Sequence, residues 1–457
     1  MTSPTLPKTA VAETLAQKIC ALDAAQLPQA VRDKCAELLI DVVGLAVTAR
    51  NEDYVKAALA ACDDDGPCTA IGHARTLSAA AAAIVNGTAI HGEDFDDTFE
   101  GGPIHAGAVI VPAVLAACER HKLDGSAALL GIAVGVETMC RLSTVAPTLT
   151  HKAGFHPTAV FGAVGAAAGV GAALKLSPRQ LVDALGTVGS MASGIIEYLA
   201  EGTWTKRLHA GWAAQSGLRA ALLGRAGFTG PRTVFEGVHG FFHGFANTTQ
   251  GDYDIITRDF GSHWVTETLA FKLYPCGTMT HPYIDCARRL GARIKADEVV
   301  EILCDVGEGT VHRLWEPLAA KQTPKNGYAG KFSSPYCIAA GFIRGNVGLS
   351  DFSDAAVRDP AVLKLAGKVK YRIDPQNPYP RNFTGHIHAT LRDGSTVEER
   401  QPYMRGGAHE PLSRKDIEDK FLLNARHGGW SEARATATLR TLGSFFAGPA
   451  DLAPLRG

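Results

Sequence analysis

Residues 91–107 read HGEDFDDTFEGGPIHAG and concentrate more reactive groups than any other stretch of this 457-residue chain. Asp94, Asp96 and Asp97 fall within four positions, Thr98 follows, and His91 and His105 flank the run. Asn86-Gly87 precedes it and Gly101-Gly102-Pro103 interrupts it, so these groups leave a helix and enter a loop. Packing has no use for three acids in four residues. A site that binds cations or moves protons does.

Other readings fit the same letters. A DxDxT phosphatase nucleophile needs a buried hydrophobic strand immediately before it, whereas AIHGE here follows an alanine-rich helix. A Mg²⁺-binding acid cluster of the prenyl-diphosphate kind needs a second acidic motif and a more aromatic body. A solvated acidic helix end is the plain structural alternative.

Four further segments carry candidate chemistry. HKAGFHPTAVFGAVG (151–165) places His156 before Pro157, and proline at a first helical position aims the preceding side chain at a helix N-terminus, where an anion is favoured. The glycines of GAVGAAAGVG imitate a dinucleotide fingerprint, but no strand precedes them, which assigns them to close helix packing. EGTWTKRLHAGWAAQSG (201–217) sets Lys206, Arg207 and His209 at the mouth of a small-residue helix. Such a cationic group can hold carboxylates or stabilise an enediolate, or can simply cap the helix. AFKLYPCGTMTHPYIDCARRL (270–290) carries Lys272, Tyr274, Cys276 and His281, and GYAGKFSSPYCIAAGFIRG (327–345) brings Lys331, Ser333 and Tyr336 to a helix start.

The elements that must position these groups change character along the chain. From Ala10 to about residue 265 apolar residues recur at three and four, as in Val31, Cys35, Leu38, Leu39, Val42 and Val43. Helix starts are expected at Ser78, Gly107, Ser126 and Ser177-Pro178. After about residue 268, VVEILCDVGEGTVHRL (299–314), VKYRIDP (369–375) and FTGHIHATLRDGSTVEERQPY (383–403) alternate, the last broken by a turn at Arg392-Asp393-Gly394. YCIAAGFIRG (336–345) reads as a helix, and helical periodicity returns after Ser413. The expected architecture is mainly α: a large helical domain over 1–268, completed by 406–457, with a smaller α/β lid domain inserted over 269–405.

Composition narrows the partners. Lysine plus arginine (45) balances aspartate plus glutamate (46), so net charge gives no footprint for nucleic acid or an anionic membrane. The ten cysteines are scattered without a CxxC pair, which fits idle thiols in a reducing compartment. The N-terminal MTSPTLPKTAVAETLAQ lacks a basic start with an apolar core, and TAVFGAVGAAAGVGAAL (158–174) is too short and too rich in Ala and Gly for a membrane span. A cytoplasmic protein is expected, with no membrane partner.

Taken together and in this order, the five segments resemble the MmgE/PrpD family, which includes 2-methylcitrate dehydratase, cis-aconitate decarboxylase and iminodisuccinate epimerase. The resemblance rests on the NG…H…DFDDT…H run at 86–105, FHPT at 155–158, TKRLHAG at 205–211, K-x-YPC…H at 272–281 and KFSSPYC at 331–337. It implies a helical domain with a smaller α/β lid, a homodimer, and an active site between the domains without metal or organic cofactor. By position it implies site residues at Asp94, Thr98, His105, His156, Lys206, Lys272 and Tyr336. His105 is followed by Ala-Gly where the family commonly has Pro-Gly or Pro-Ser. Gly277 stands where the animal decarboxylases carry a histidine, and His281 is the next candidate.

The implied substrates are small polycarboxylates, and the implied reactions share a carbanion or enediolate beside a carboxylate. The expected catalytic set is Asp94, His105, His156, Lys206 and Tyr336. His156 is the candidate base, Asp94 an orienting group and Tyr336 a proton donor. Lys206, Lys272 and His105 would hold carboxylates and the developing charge, with Thr98, His281, His209 and Arg207 completing the binding set. Expelling a β-hydroxyl gives a dehydratase, losing CO₂ a decarboxylase, and reprotonating the other face an epimerase or isomerase. Residue types do not choose among these. The expectation is a carbon–oxygen or carbon–carbon lyase, with an epimerase or isomerase, or a non-catalytic metabolite-binding paralogue, as alternatives.

Overall fold

The structure, a computed structural model, describes residues 8–457; residues 1–7, on which the leaderless reading of the N-terminus partly rests, lie outside the described residues. The described chain divides into two compact units, one of residues 8–92, 96–269 and 413–457, the other of residues 93–95 and 270–412. The fold is mainly α; among the described residues the strands form one four-stranded sheet and two two-stranded ones.

The helices that matter to the first unit are α1 (Gln29–Ala49), α2 (Ala79–Gly92), α3 (Gly107–His121), α4 (Gly125–Val145), α5 (Pro157–Ala173), α6 (Pro178–Val188) and α7 (Thr205–Arg225). Their starts follow from local chemistry. Ser177 closes a capping box with Gln180 ahead of Pro178 in α6, and Asp124 accepts the Ala127 N–H at 2.8 Å to open α4. Every residue of α5 is buried, so the helix has no polar face to show.

Small residues set how closely these helices approach. Facing glycines join α4 and α5: a Cβ on Gly169 would lie 2.5 Å from the Gly131 carbonyl oxygen, and one on Gly165 2.8 Å from that of Gly135. The fingerprint-like glycines therefore serve helix contact. Between α2 and α7 the crowding is equally strict, since a Cβ on Gly87 would sit 2.6 Å from the Gly211 Cα. Helix α4 is the one described helix long and apolar enough to cross a membrane by length and composition, and 94% of that window is buried inside the protein.

In the second unit, strands β1 (Val299–Val306), β2 (Val369–Ile373), β3 (Gly385–Leu391) and β4 (Thr396–Gln401) form one sheet in the order β2-β1-β3-β4. β1 runs parallel to β2 and antiparallel to β3, and β3 is antiparallel to β4. Ile302, Cys304 and Val306 of β1, with Ile387 and Ala389 of β3, turn one face into a core. Ile284 and Leu290 of α8 (His281–Gly291) and Ile338 and Phe342 of α9 (Ser334–Arg344) cover that face. The alternation expected across 299–314 holds only to Val306, because Gly307 then caps a short helix, Glu308–Leu314. After the sheet the chain returns to the first unit through α10 (Arg414–His427), whose Lys420 Nζ meets the buried Asp41 of α1 at 2.7 Å.

Candidate active site

In the first unit the close approach at Gly87 and Gly211 brings the C-terminal turn of α2, with His91, beside the N-terminal turns of α7, with Lys206 and His209. Pro157 opens α5 directly after His156. Four imidazoles result from these placements. His91 lies 5.0 Å from His105 and 5.6 Å from His156 between ring centres, the latter pair stacked, and His156 lies 5.3 Å from His209. All four are buried, as is Lys206.

Hydrogen bonds fix which ring nitrogen carries a proton. His91 Nδ1 donates to the Asp96 carboxylate at 2.7 Å, and its buried Nε2 meets no hydrogen-bond partner among the described residues. His105 Nδ1 donates to the Asp97 carbonyl oxygen at 2.7 Å, so in the neutral ring the lone pair sits on Nε2. His156 Nδ1 and His209 Nδ1 share one hydrogen bond at 3.2 Å. Burial, followed by the neighbouring His91, His209, Lys206 and His105, holds His156 well below the ordinary imidazole range. Burial, His91 and Lys206 bring His209 down to about 4. His156 and His209 are therefore neutral near pH 7, each with a ring lone pair.

Asp97 has a different task. Its carboxylate accepts the Ala106 and Gly107 N–H groups, each at 2.9 Å, and so caps α3. Burial first, then Asp96 and Asp41, push its pKa up. Thr98 is buried at the start of the two-residue strand Thr98–Phe99. The Arg207 guanidinium stacks over the Tyr54 ring at 4.2 Å, within the same unit. His209 also lines a cavity of about 470 Å³ together with Tyr198, Ile195, Leu208 and Trp212, a size that suits a small organic acid.

The second unit holds its own charged group. Lys272 Nζ donates to the Asp94 carbonyl oxygen at 2.9 Å and lies 3.4 Å from the Asp94 carboxylate. Lys331 Nζ binds both the carbonyl and the carboxylate of Glu93, at 2.7 and 2.6 Å. Asp94 takes a left-handed backbone conformation, φ +55°, which short polar side chains tolerate. Its neighbour is thus a lysine. His281 is buried against Tyr274, ring centres 5.2 Å apart. Burial would raise the Cys276 thiol, but Cys337, His281 and Lys272 outweigh it and bring the group down.

Tyr336, expected as a proton donor, is buried and already donates its phenolic hydrogen to the Asp351 carbonyl oxygen at 2.5 Å, while burial pushes its pKa up. His91 and Asp96 lie in the acidic run but outside the expected site set, and their 2.7 Å hydrogen bond is as short as that of His105 to the Asp97 carbonyl. Their signal was a histidine on the last turn of α2, five residues before an acid in the following loop. His91, Asp96 and His105 also bring three ligand-type atoms within 4.8 Å of one another. The Asp97 carbonyl occupies His105 Nδ1, which favours proton sharing over a metal in this trio.

The model of the MmgE/PrpD N-terminal domain matches residues 13–254, and that of the MmgE/PrpD C-terminal domain matches residues 274–441. The chain belongs to the MmgE/PrpD family. It is 29% identical over 440 residues to the cis-aconitate decarboxylase-like protein oryM of Aspergillus oryzae, covering 91% of this chain and 90% of that one. The cis-aconitate decarboxylase of Mus musculus is 32% identical over 356 residues, 75% of this chain and 71% of its own. That of Aspergillus terreus is 27% identical over 425 residues, 86% and 85% respectively. All five segments that carry MmgE/PrpD-like residues in this chain fall within or across these matched regions.

Proposed function

We propose that this MmgE/PrpD lyase acts on an aconitate-like tri- or dicarboxylate by cofactor-independent proton transfer through an enediolate-type intermediate. Cis-aconitate is the first substrate to test, and decarboxylation the first reaction. The observation that carries the reading is the buried, neutral His156 stacked on His91, with Lys206 on the neighbouring helix turn.

Each part has a chemical task. Lys206 supplies fixed positive charge for a substrate carboxylate and for the charge that develops beside it. His156 accepts or returns the proton at carbon, and its shared hydrogen bond with His209 lets that proton be relayed. His105 presents Nε2 as a hydrogen-bond acceptor or base. His91, oriented by Asp96, keeps the His156 ring in its stack. Lys272, held by Asp94, is the second unit's proposed carboxylate partner. When a carbon–carbon bond breaks and CO₂ leaves, the electron pair passes into the adjoining conjugated carboxylate. One solvent proton, relayed through the imidazoles so that each ring ends as it began, then quenches it at carbon.

The test is proton NMR in D₂O with EDTA present, across cis-aconitate, citrate, 2-methylcitrate and iminodisuccinate. Loss of CO₂ or water with deuterium incorporated supports the lyase. Deuterium uptake without change of constitution moves the reading to an epimerase or isomerase. Binding without any turnover moves it to a metabolite-binding paralogue.

A homodimer is also part of the proposal. Its support is the set of exposed apolar side chains Ile195, Leu199, Trp204, Leu208 and Trp212, three of which line the cavity, since exposed apolar patches mark interaction surfaces. Sedimentation at micromolar concentration should give twice the 48.1 kDa chain mass, and a monomer would contradict it. The ten cysteines, none in a disulfide, support a reducing, cytoplasmic location. Reporter fusion of the full chain tests this.

A further inference from the structure

The open face of the second unit's sheet carries a constellation that the proposed reaction does not use. β3 places His386 and His388 two residues apart, so both side chains stand on the same face. Asp305 of β1 projects between them. Its Oδ2 lies 2.8 Å from His386 Nδ1 and 2.9 Å from His388 Nε2. The three groups bring their ligand atoms within 4.8 Å of one another.

The outer groups are arranged as a metal site requires. His386 turns its other nitrogen, Nε2, to the Glu398 carboxylate of β4 at 2.6 Å. That is the carboxylate–histidine pairing which orients a metal-binding imidazole and raises its basicity. Arg372 of β2 grips both oxygens of the Asp305 carboxylate, Oδ1 through Nε and Oδ2 through a terminal nitrogen at 3.2 Å, and so fixes its orientation beside the histidines. All four strands contribute, and the sheet ladder fixes their register.

Asp305 Oδ2 accepts from His388 Nε2 at 2.9 Å and from the Arg372 terminal nitrogen at 3.2 Å. A cation bound beside Oδ2 would take the place of the imidazole protons that this oxygen now accepts, as metal binding to histidine requires. Bonds of about 2.0–2.1 Å in a tetrahedral site set ligand atoms about 3.3 Å apart, so the trio would open by roughly half an ångström.

We propose that Asp305, His386 and His388 form a binding site for a divalent transition-metal ion of the Zn²⁺ class, with water as the fourth ligand. Two imidazoles and one carboxylate suit Zn²⁺, Co²⁺ or Ni²⁺ over Mg²⁺ or Ca²⁺. The side chains of Asp305, His386 and His388 are 9, 16 and 20% exposed, so an ion reaches them from solvent. The nearby Arg372 charge opposes a dication, which places the affinity below that of a closed structural zinc site.

The experiment is titration of EDTA-stripped, dialysed full-length protein with Zn²⁺ by calorimetry and with Co²⁺ by visible absorption. One equivalent of Zn²⁺ should bind, and Co²⁺ should give a tetrahedral d–d band. His388→Gln should weaken binding by more than about a hundredfold, and Glu398→Gln by about tenfold, as loss of an outer-shell partner does. Thermal melting of each metal-free variant checks that it folds. Absence of binding to wild type, or His388→Gln and His386→Gln proteins that fold and bind Zn²⁺ like wild type, would overturn the proposal.

Discussion

The Asp96 carboxylate accepts a hydrogen bond from His91 Nδ1 at 2.7 Å, with both side chains fully removed from solvent. This bond sets the plane of the His91 ring, and the ring stacks on His156 at 5.6 Å. An acid that never needs to touch substrate thereby fixes the attitude of the proposed base. Asp96→Asn keeps the volume and removes the charge. It should lower kcat by up to about a hundredfold, the cost of a misplaced catalytic group, with KM little changed. Steady-state kinetics separates the two parameters, and a pure KM effect would argue for a binding role.

Replacing the base itself should cost more. His156→Ala should lower kcat by about 10²–10⁴-fold, the usual contribution of general acid–base catalysis. Lys206→Met should cost about 10²–10³-fold, the scale of removing one preorganised charge-stabilising group. Circular dichroism should show both variants folded, so that the loss reads as chemistry.

Stability should depend on pH through the buried imidazoles. His209 has a folded pKa of about 4 against an ordinary 6.5. Between those values the unfolded chain binds a proton that the folded chain does not, so stability rises with pH through this window and levels above it. The contribution of His209 to the loss at pH 4 is on the order of 3 kcal/mol, and His156 adds in the same direction. Melting temperatures from pH 4 to 7.5 should climb steeply to about 6.5 for wild type and less steeply for His209→Gln.

The glycine contact between α2 and α7 makes a packing prediction. Gly87→Ala would press a methyl group to 2.6 Å from the Gly211 backbone, which cannot give way as a flexible side chain would. The variant should lose at least about 1–3 kcal/mol, as overpacked cores do, and activity should fall with the fold. Urea titration measures the first, and an unchanged midpoint would show that the helices are not held at this distance.

Much of this was legible along the chain because it is local. The helical period up to about residue 265, the Ser177-Pro178 start of α6 and the turn ahead of Gly394 are each decided within a few residues. The missing strand before the glycines of α5 points to packing, and Gly165 and Gly169 do meet the α4 backbone closely. The 299–314 run was less legible: valines on both sides of Gly307 look alike in sequence, but the glycine ends the strand and starts a helix. Within the site, His105, His156, Lys206 and His209 stood out by residue type at helix starts. The roles of Asp96 and Tyr336 did not. Asp96 is distinguished from Asp97 only by which one turns to an imidazole and which to the N–H groups of α3. Tyr336 is spent on a carbonyl fifteen residues away, a contact no local pattern marks.

Paired CO₂-release and D₂O NMR assays on cis-aconitate, comparing wild type with His156→Ala in EDTA, test the central claim most directly. Wild type should release CO₂ and incorporate one solvent deuteron at carbon per turnover, and His156→Ala should do so at least about a hundredfold more slowly. Wild type inert towards cis-aconitate, or His156→Ala as fast as wild type, would contradict it.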